Sequence, residues 1–98
     1  MAYVIEFSED AERHLADLSA RDRRTMLDAI ETQLSHEPTT PSKHRKLLTP
    51  NPVAAWELRV GEFRVFYNVQ QEHILVIVVA VGRTEHNQLT IDGKVIPL

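Results

Sequence analysis

Two arginines, Arg59 and Arg64, flank Gly61-Glu62 inside the stretch Trp56-Glu-Leu-Arg-Val-Gly-Glu-Phe-Arg-Val-Phe-Tyr67. Guanidinium groups hold phosphate bidentately and stabilise the added negative charge of a phosphoryl transition state. Arg83 and His86 follow the next apolar run, and Lys43, Arg45 and Lys46 precede the stretch as the one basic cluster of the chain. Glu57, Glu85 and His86 are the nearby groups able to take or give a proton. RNA carries its own nucleophile in the 2′-OH. Its cleavage needs a base for that hydroxyl, cations for the phosphorane and an acid for the leaving oxygen, but no metal. The plainer alternative is that Arg59 and Arg64 pair with Glu57 and Glu62 on a wetted face.

Other chemistries lack their signatures. His14, His36, His44, His73 and His86 form no HxH or HxxxH pair, and the chain has no cysteine, so no metal or other cofactor is expected. No G-x-S-x-G marks a nucleophilic serine, and three glycines build no phosphate-cradling loop.

The element that must position the arginines is a hairpin. Residues alternate apolar and polar on both sides of Gly61-Glu62, and glycine at the first turn position suits a type II′ turn. That register sets Val60 opposite Phe63, Arg59 opposite Arg64, Leu58 opposite Val65, Glu57 opposite Phe66 and Trp56 opposite Tyr67. Trp56, Leu58, Val60, Phe63, Val65 and Tyr67 then face the core, while Glu57, Arg59, Arg64 and Phe66 share the other face. Opposed arginines repel. A bound anion, or the Glu57 carboxylate, would remove that cost.

Around the hairpin, Tyr3, Ile5 and Phe7 predict a strand over about residues 2–7. Ser8 is a candidate N-cap for a short helix running to about Leu18, with Glu9, Asp10 and Glu12 at its positive end. Ser19, with Asp22 three residues on, restarts the signal. Met26, Leu27, Ile30 and Leu34 form the stripe of a second helix that Pro38 must end. Residues 37–46 read as a loop, and Leu47 and Leu48 are expected to tuck into the core. Ile74 to Val81 is a continuous apolar run, the pattern of a central strand covered on both faces. Gly82 to Asn87 reads as the loop beyond it. Asp92-Gly93 is a good type I′ turn before Val95-Ile96, predicting either a small terminal hairpin or a disordered end. The order β-α-α-β-β-β implies an α+β fold, a helical hairpin packed on a small, mostly antiparallel sheet.

At 98 residues, 43% of them hydrophobic and 26% charged, the chain reads as one small globular domain, residues 1–98. The absence of cysteine suits a reducing cytoplasm, and the N-terminus has no signal-peptide pattern. No apolar run is long enough for a membrane helix. The net charge of −3 is uneven: residues 1–42 carry −5 and residues 43–98 carry +2. An anionic partner belongs on the second half, while overall acidity argues against tight non-specific nucleic-acid binding.

The words Lys46-Leu47, Trp56 to Tyr67 and Ile77-Val-Val-Ala-Val-Gly82, behind a helical hairpin, resemble the RelE/ParE superfamily of bacterial type II toxins. The likeness runs from the opening strand to Gly82, and the hairpin wording is nearer the RelE branch. It implies a RelE-like fold and a toxin neutralised by a cognate antitoxin in a hetero-oligomer. RelE-type members cleave mRNA on the ribosome without metal, inhibiting translation; ParE-type members poison DNA gyrase. By this resemblance Arg64 is the phosphate-binding arginine, with Arg59 and Arg83 supporting, and Glu57 or His86 is a candidate acid or base. Lys43, Arg45 and Lys46 would contact the RNA backbone. The departures are specific. The second family arginine aligns strictly with Thr84, beside Arg83. Its basic residues before the turn fall on Ala55 and Glu57, and its C-terminal aromatic falls near Thr90. A gyrase inhibitor, or a catalytically weak member acting through antitoxin binding and co-repression, are the alternatives.

Overall fold

In the computed structural model, which describes residues 2–97, Ser8 opens the helical layer as expected. Its hydroxyl accepts from the Ala11 amide at 3.1 Å and caps α1 (Glu9–Ala16). Ser19 caps α2 (Ala20–Leu34) the same way, accepting from the Asp22 amide. Between them the carbonyls of Leu15, Ala16 and Leu18 gather at the end of the first helix, that of Leu15 already accepting from the Leu18 amide at 3.1 Å. Arg23 donates to all three, at 3.0, 3.1 and 3.0 Å, and staples the corner. Met26, Ile30 and Leu34 are buried on one stripe of α2, each contributing about 1.5–3 kcal/mol of apolar transfer.

The helices cover one face of a seven-stranded sheet: β1 (Val4–Phe7), β2 (Arg45–Leu47), β3 (Trp56–Val60), β4 (Phe63–Gln70), β5 (Leu75–Glu85), β6 (Gln88–Ile91) and β7 (Lys94–Val95). The path runs β2-β3-β4-β5-β6-β7 with antiparallel neighbours, and β1 pairs in parallel with the first part of β5. This is the expected α+β fold with short strands added at its edges. The β3–β4 register matches the expectation pair for pair, and the turn carries its positive φ at Gly61 (58°). Trp56, Leu58, Phe63, Val65 and Tyr67 enter the helix-side core, where the fully buried Tyr67 hydroxyl donates to the Pro38 carbonyl at 2.7 Å. Burial pushes that hydroxyl's pKa well above its ordinary value. Phe66 and Ala80 head a second, smaller cluster on the opposite face.

Several local expectations are corrected. Residues 37–46 are not all loop, because Arg45 and Lys46 start β2. Leu47 does not reach the core: it lies on this edge strand, 58% exposed. The first helix ends at Ala16 rather than Leu18. The central strand begins after Ile74, which adopts φ 50°, and continues through Arg83 to Glu85, so the expected loop is mostly strand. The terminal hairpin forms, with Asp92 and Gly93 at φ 56° and 75° in its turn.

One irregularity decides the site. Tyr67 pairs with Val78, but Phe66 pairs with Ala80, so Val79 is an extra residue in β5. A bulge of one residue moves every following side chain to the other face. The gap between β1 and β6 along β5 is closed by α1: Ser8 donates its hydroxyl to the Val79 carbonyl at 2.7 Å, and His14 Nδ1 accepts from the Val81 amide at 3.1 Å.

Candidate functional site

On the sheet face away from the helices, Arg59 and Arg64 stand directly opposite each other. The two-residue turn makes theirs a non-hydrogen-bonded pair, the closer of the two kinds of cross-strand neighbour. Their repulsion is met from within the protein. Glu57 Oε1 lies 3.0 Å from Arg59 Nε, which donates to it, and 3.9 Å from Arg64 Nε. Arg64 also curls over its own turn, Nη1 donating to the carbonyls of Gly61 and Phe63, both at 2.8 Å. The Glu57 side chain is 10% exposed and that of Arg64 17%, against 49% for Arg59. Glu57 and Arg64 are therefore largely buried, and Arg59 is the most exposed of the three charges.

These groups form one side of a groove of about 410 Å³ that also takes in Thr84, Asn87 and Gln88. Its far wall is apolar: Leu89, Ile96 and Pro97 from the terminal hairpin. Thr84 faces Leu89 across β5 and β6, and its hydroxyl donates to the Glu62 carbonyl at 3.1 Å.

Arg83 is not in this groove. The Val79 bulge turns it onto Phe63's face, where its guanidinium lies 4.7 Å from the Phe63 ring centroid and near Glu62 and Glu85, at 3.7 and 4.0 Å. Without the bulge Arg83 would share Arg64's face; with it, Thr84 does. Glu85 accompanies Arg83. His86 and Asn87 form the tip of the β5–β6 turn with φ 51° and 64°, the double left-handed geometry of a type I′ turn, and His86 is exposed there.

The basic cluster also divides. Lys46 pairs with Glu57 and so shares the groove face, and Lys43 is exposed beside it. Arg45 points the other way. It donates to the Thr40 carbonyl at 2.8 Å and to the main-chain and side-chain oxygens of Gln33 at 3.1 and 2.6 Å, holding the loop onto α2.

A second constellation had no sequence signal, because its members lie at opposite ends of the chain. A hollow of about 300 Å³ on the helix side is lined by His14, Phe63, Arg83, Thr90 and Asp92, among others. Asp92 receives Arg13 Nη1 at 2.6 Å and stands 3.0 Å from His14 Nε2, in poor alignment for a hydrogen bond. The Arg13 hydrogen bond, followed by His14, holds the Asp92 carboxyl down at about 2. Since His14 Nδ1 accepts from Val81, a neutral ring carries its proton on Nε2, facing Asp92. Among the described residues no three His, Cys, Asp or Glu side chains gather as a metal site.

The model of the ParE toxin of the type II toxin–antitoxin system parDE matches residues 5–88. No curated protein matches the sequence significantly. The fold is similar to a chain of the toxin–antitoxin complex RelBE2 from Mycobacterium tuberculosis, at 25% identity and a TM-score of 0.74 over 86% of this chain and 93% of that one. With the family model spanning the opening strand, both helices and the arginine hairpin, this chain belongs to the ParE toxin family of type II toxin–antitoxin systems, within the RelE/ParE superfamily.

Proposed function

We propose that this toxin is an endoribonuclease acting on translated mRNA in the cytoplasm, using the Glu57–Arg59–Arg64 groove. The observation that carries the reading is one carboxylate lying 3.0 and 3.9 Å from two guanidinium groups that line a groove. A carboxylate so placed can take the proton of a ribose 2′-OH as that oxygen attacks the adjacent phosphorus. Arg59 and Arg64 then hold the charge that gathers on the phosphorane oxygens. The P–O5′ bond breaks, giving a 2′,3′-cyclic phosphate and a 5′-hydroxyl. The leaving oxygen takes its proton from His86, beside Asn87 in the β5–β6 turn, or from water. Lys43 and Lys46 supply backbone contacts. Arg83 and Arg45 act structurally, through Phe63 and through the loop onto α2. A cognate antitoxin covers this face in the resting complex, a partner consistent with the toxin–antitoxin complex that the fold resembles.

A second reading has its own support. The groove holds two guanidinium groups rather than three because Arg83 lies across the sheet, and the matching family model is that of ParE. On that reading the protein is a topoisomerase poison that needs no hydrolytic group.

Induced expression without a partner in a bacterial host separates the two, with growth followed and mRNA 5′ ends mapped. Arrest with new cuts inside reading frames, both lost in Arg64→Ala and in Glu57→Gln, is the expected result. Arrest with DNA damage and no cuts overturns the ribonuclease in favour of the poison. Soluble toxin with no arrest points to a member acting through antitoxin binding and co-repression.

A further inference from the structure

The chemistry proposed for the groove uses one of its walls. The other is built by the terminal hairpin, which places Leu89, Ile96 and Pro97 across from Arg59 and Arg64. An apolar wall facing a guanidinium pair across a few hundred Å³ suits a ligand that is anionic at one end and flat and apolar at the other. A nucleotide has that form: a phosphate, and a base whose faces are weakly hydrated. Inorganic phosphate would use the arginines and leave the wall bare.

We infer that the terminal hairpin is the base-binding half of the groove, so that each phosphate held by Arg59 and Arg64 is read with its nucleobase against Leu89, Ile96 and Pro97. This rests on the RNA reading of the groove and adds where the base goes. The wall is fixed in place from the opposite face of the sheet. Asp92 ties the β6–β7 turn to Arg13 and His14 of α1. Gly82 lets β6 approach so closely that a Cβ there would meet the Thr90 carbonyl at 2.7 Å. The Ile96 amide donates to the Leu89 carbonyl at 2.9 Å, keeping the two wall residues in register. Asn87, in its left-handed turn position at the rim, adds an amide able to meet a base edge.

The test is equilibrium binding of a short 2′-O-methyl RNA, which cannot be cleaved, compared with the same backbone carrying abasic positions. The wild-type protein should prefer the oligonucleotide with bases by on the order of tenfold, the scale of one base contact. Ile96→Ala should bring that ratio towards one, whereas Val95→Asn, an exposed change on the opposite face, should leave it unmoved. Asp92→Asn, outside the groove, should lower the ratio with Arg64 untouched. Equal binding of both oligonucleotides by the wild type overturns the inference, even if cleavage is found in cells. A ratio unmoved by Ile96→Ala also overturns it, as does failure to bind either oligonucleotide. Base-dependent binding by a protein that makes no cuts in cells leaves the inference standing and removes the nuclease reading instead.

Discussion

Replacing Arg83 by alanine should leave RNA binding almost unchanged, and replacing Thr84 by arginine should strengthen it, although the sequence offers Arg83 as a supporting arginine of the site. The difference follows from the Val79 bulge, which puts Thr84 and not Arg83 on Arg64's face. Opposite faces of a sheet place charged tips about 12 Å apart or more, where two unit charges in water interact by only about 0.3 kcal/mol. That separation also exceeds the screening length of about 8 Å at physiological salt, so Arg83→Ala should change Kd by less than about twofold. A guanidinium in the groove adds a charge-assisted hydrogen bond of about 1.5–3 kcal/mol. Ordering the long side chain costs part of that, about 1–2 kcal/mol. Thr84→Arg should therefore gain about 1 kcal/mol, roughly fivefold in Kd, and steepen the salt dependence by about 0.7 in the log–log slope. Arg64→Ala should lose about tenfold or more. The assay is fluorescence anisotropy with a 2′-O-methyl RNA at two salt concentrations, with thermal melts to confirm folding. Arg83→Ala is expected to cost about 0.5–1 kcal/mol of stability through its contact with Phe63. If Arg83→Ala weakens binding as much as Arg64→Ala, or Thr84→Arg has no effect, the two side chains do not lie on the faces assigned to them.

Glu57→Gln should bind RNA more tightly, because the arginines lose their internal counter-charge, yet lower single-turnover cleavage by about 10²–10⁴-fold; cleavage at the wild-type rate would remove Glu57 as the base. The Asp92 carboxyl is held at about 2 against an ordinary 3.8, so its stabilising contribution is complete above about pH 4 and is lost as pH falls through 2. Acid unfolding of Asp92→Asn should accordingly be flatter between those values, and an unchanged curve would show that the tie to Arg13 and His14 is not formed in solution. Gly82→Ala should destabilise by about 1–3 kcal/mol, since the new Cβ would press on the Thr90 carbonyl and on Ile91, and a wild-type melting temperature would contradict the close approach of β6. Ile74, a β-branched residue at φ 50°, carries strain that Ile74→Asn should relieve, stabilising by about 0.5–1 kcal/mol in chemical denaturation once its partial burial is offset; a lower midpoint would place its side chain in a more important contact.

The arginine hairpin is legible in the sequence alone because alternation has a period of two and its turn carries a glycine: these local facts set which residues face each other and which face the core. The helix starts are legible for the same kind of reason, a capping hydroxyl within three residues of the amide it serves. The terminal turn at Asp92-Gly93 is readable too, but not what the hairpin packs against. Arg45 shows the limit in a single residue: its charge is visible in the sequence, yet its partners on Gln33 and Thr40 come from how the loop folds back. The apolar run Ile74 to Val81 has no alternation, so nothing in it betrays which residue is surplus to the pairing with the next strand. Tertiary structure decides that at Val79, where α1 supplies Ser8 to the bulged carbonyl and His14 to the amide of Val81. That one extra residue sends Arg83 to the helix side and Thr84 to the groove. It depends on contacts between residues far apart in the chain, and no local pattern in the sequence encodes their distance.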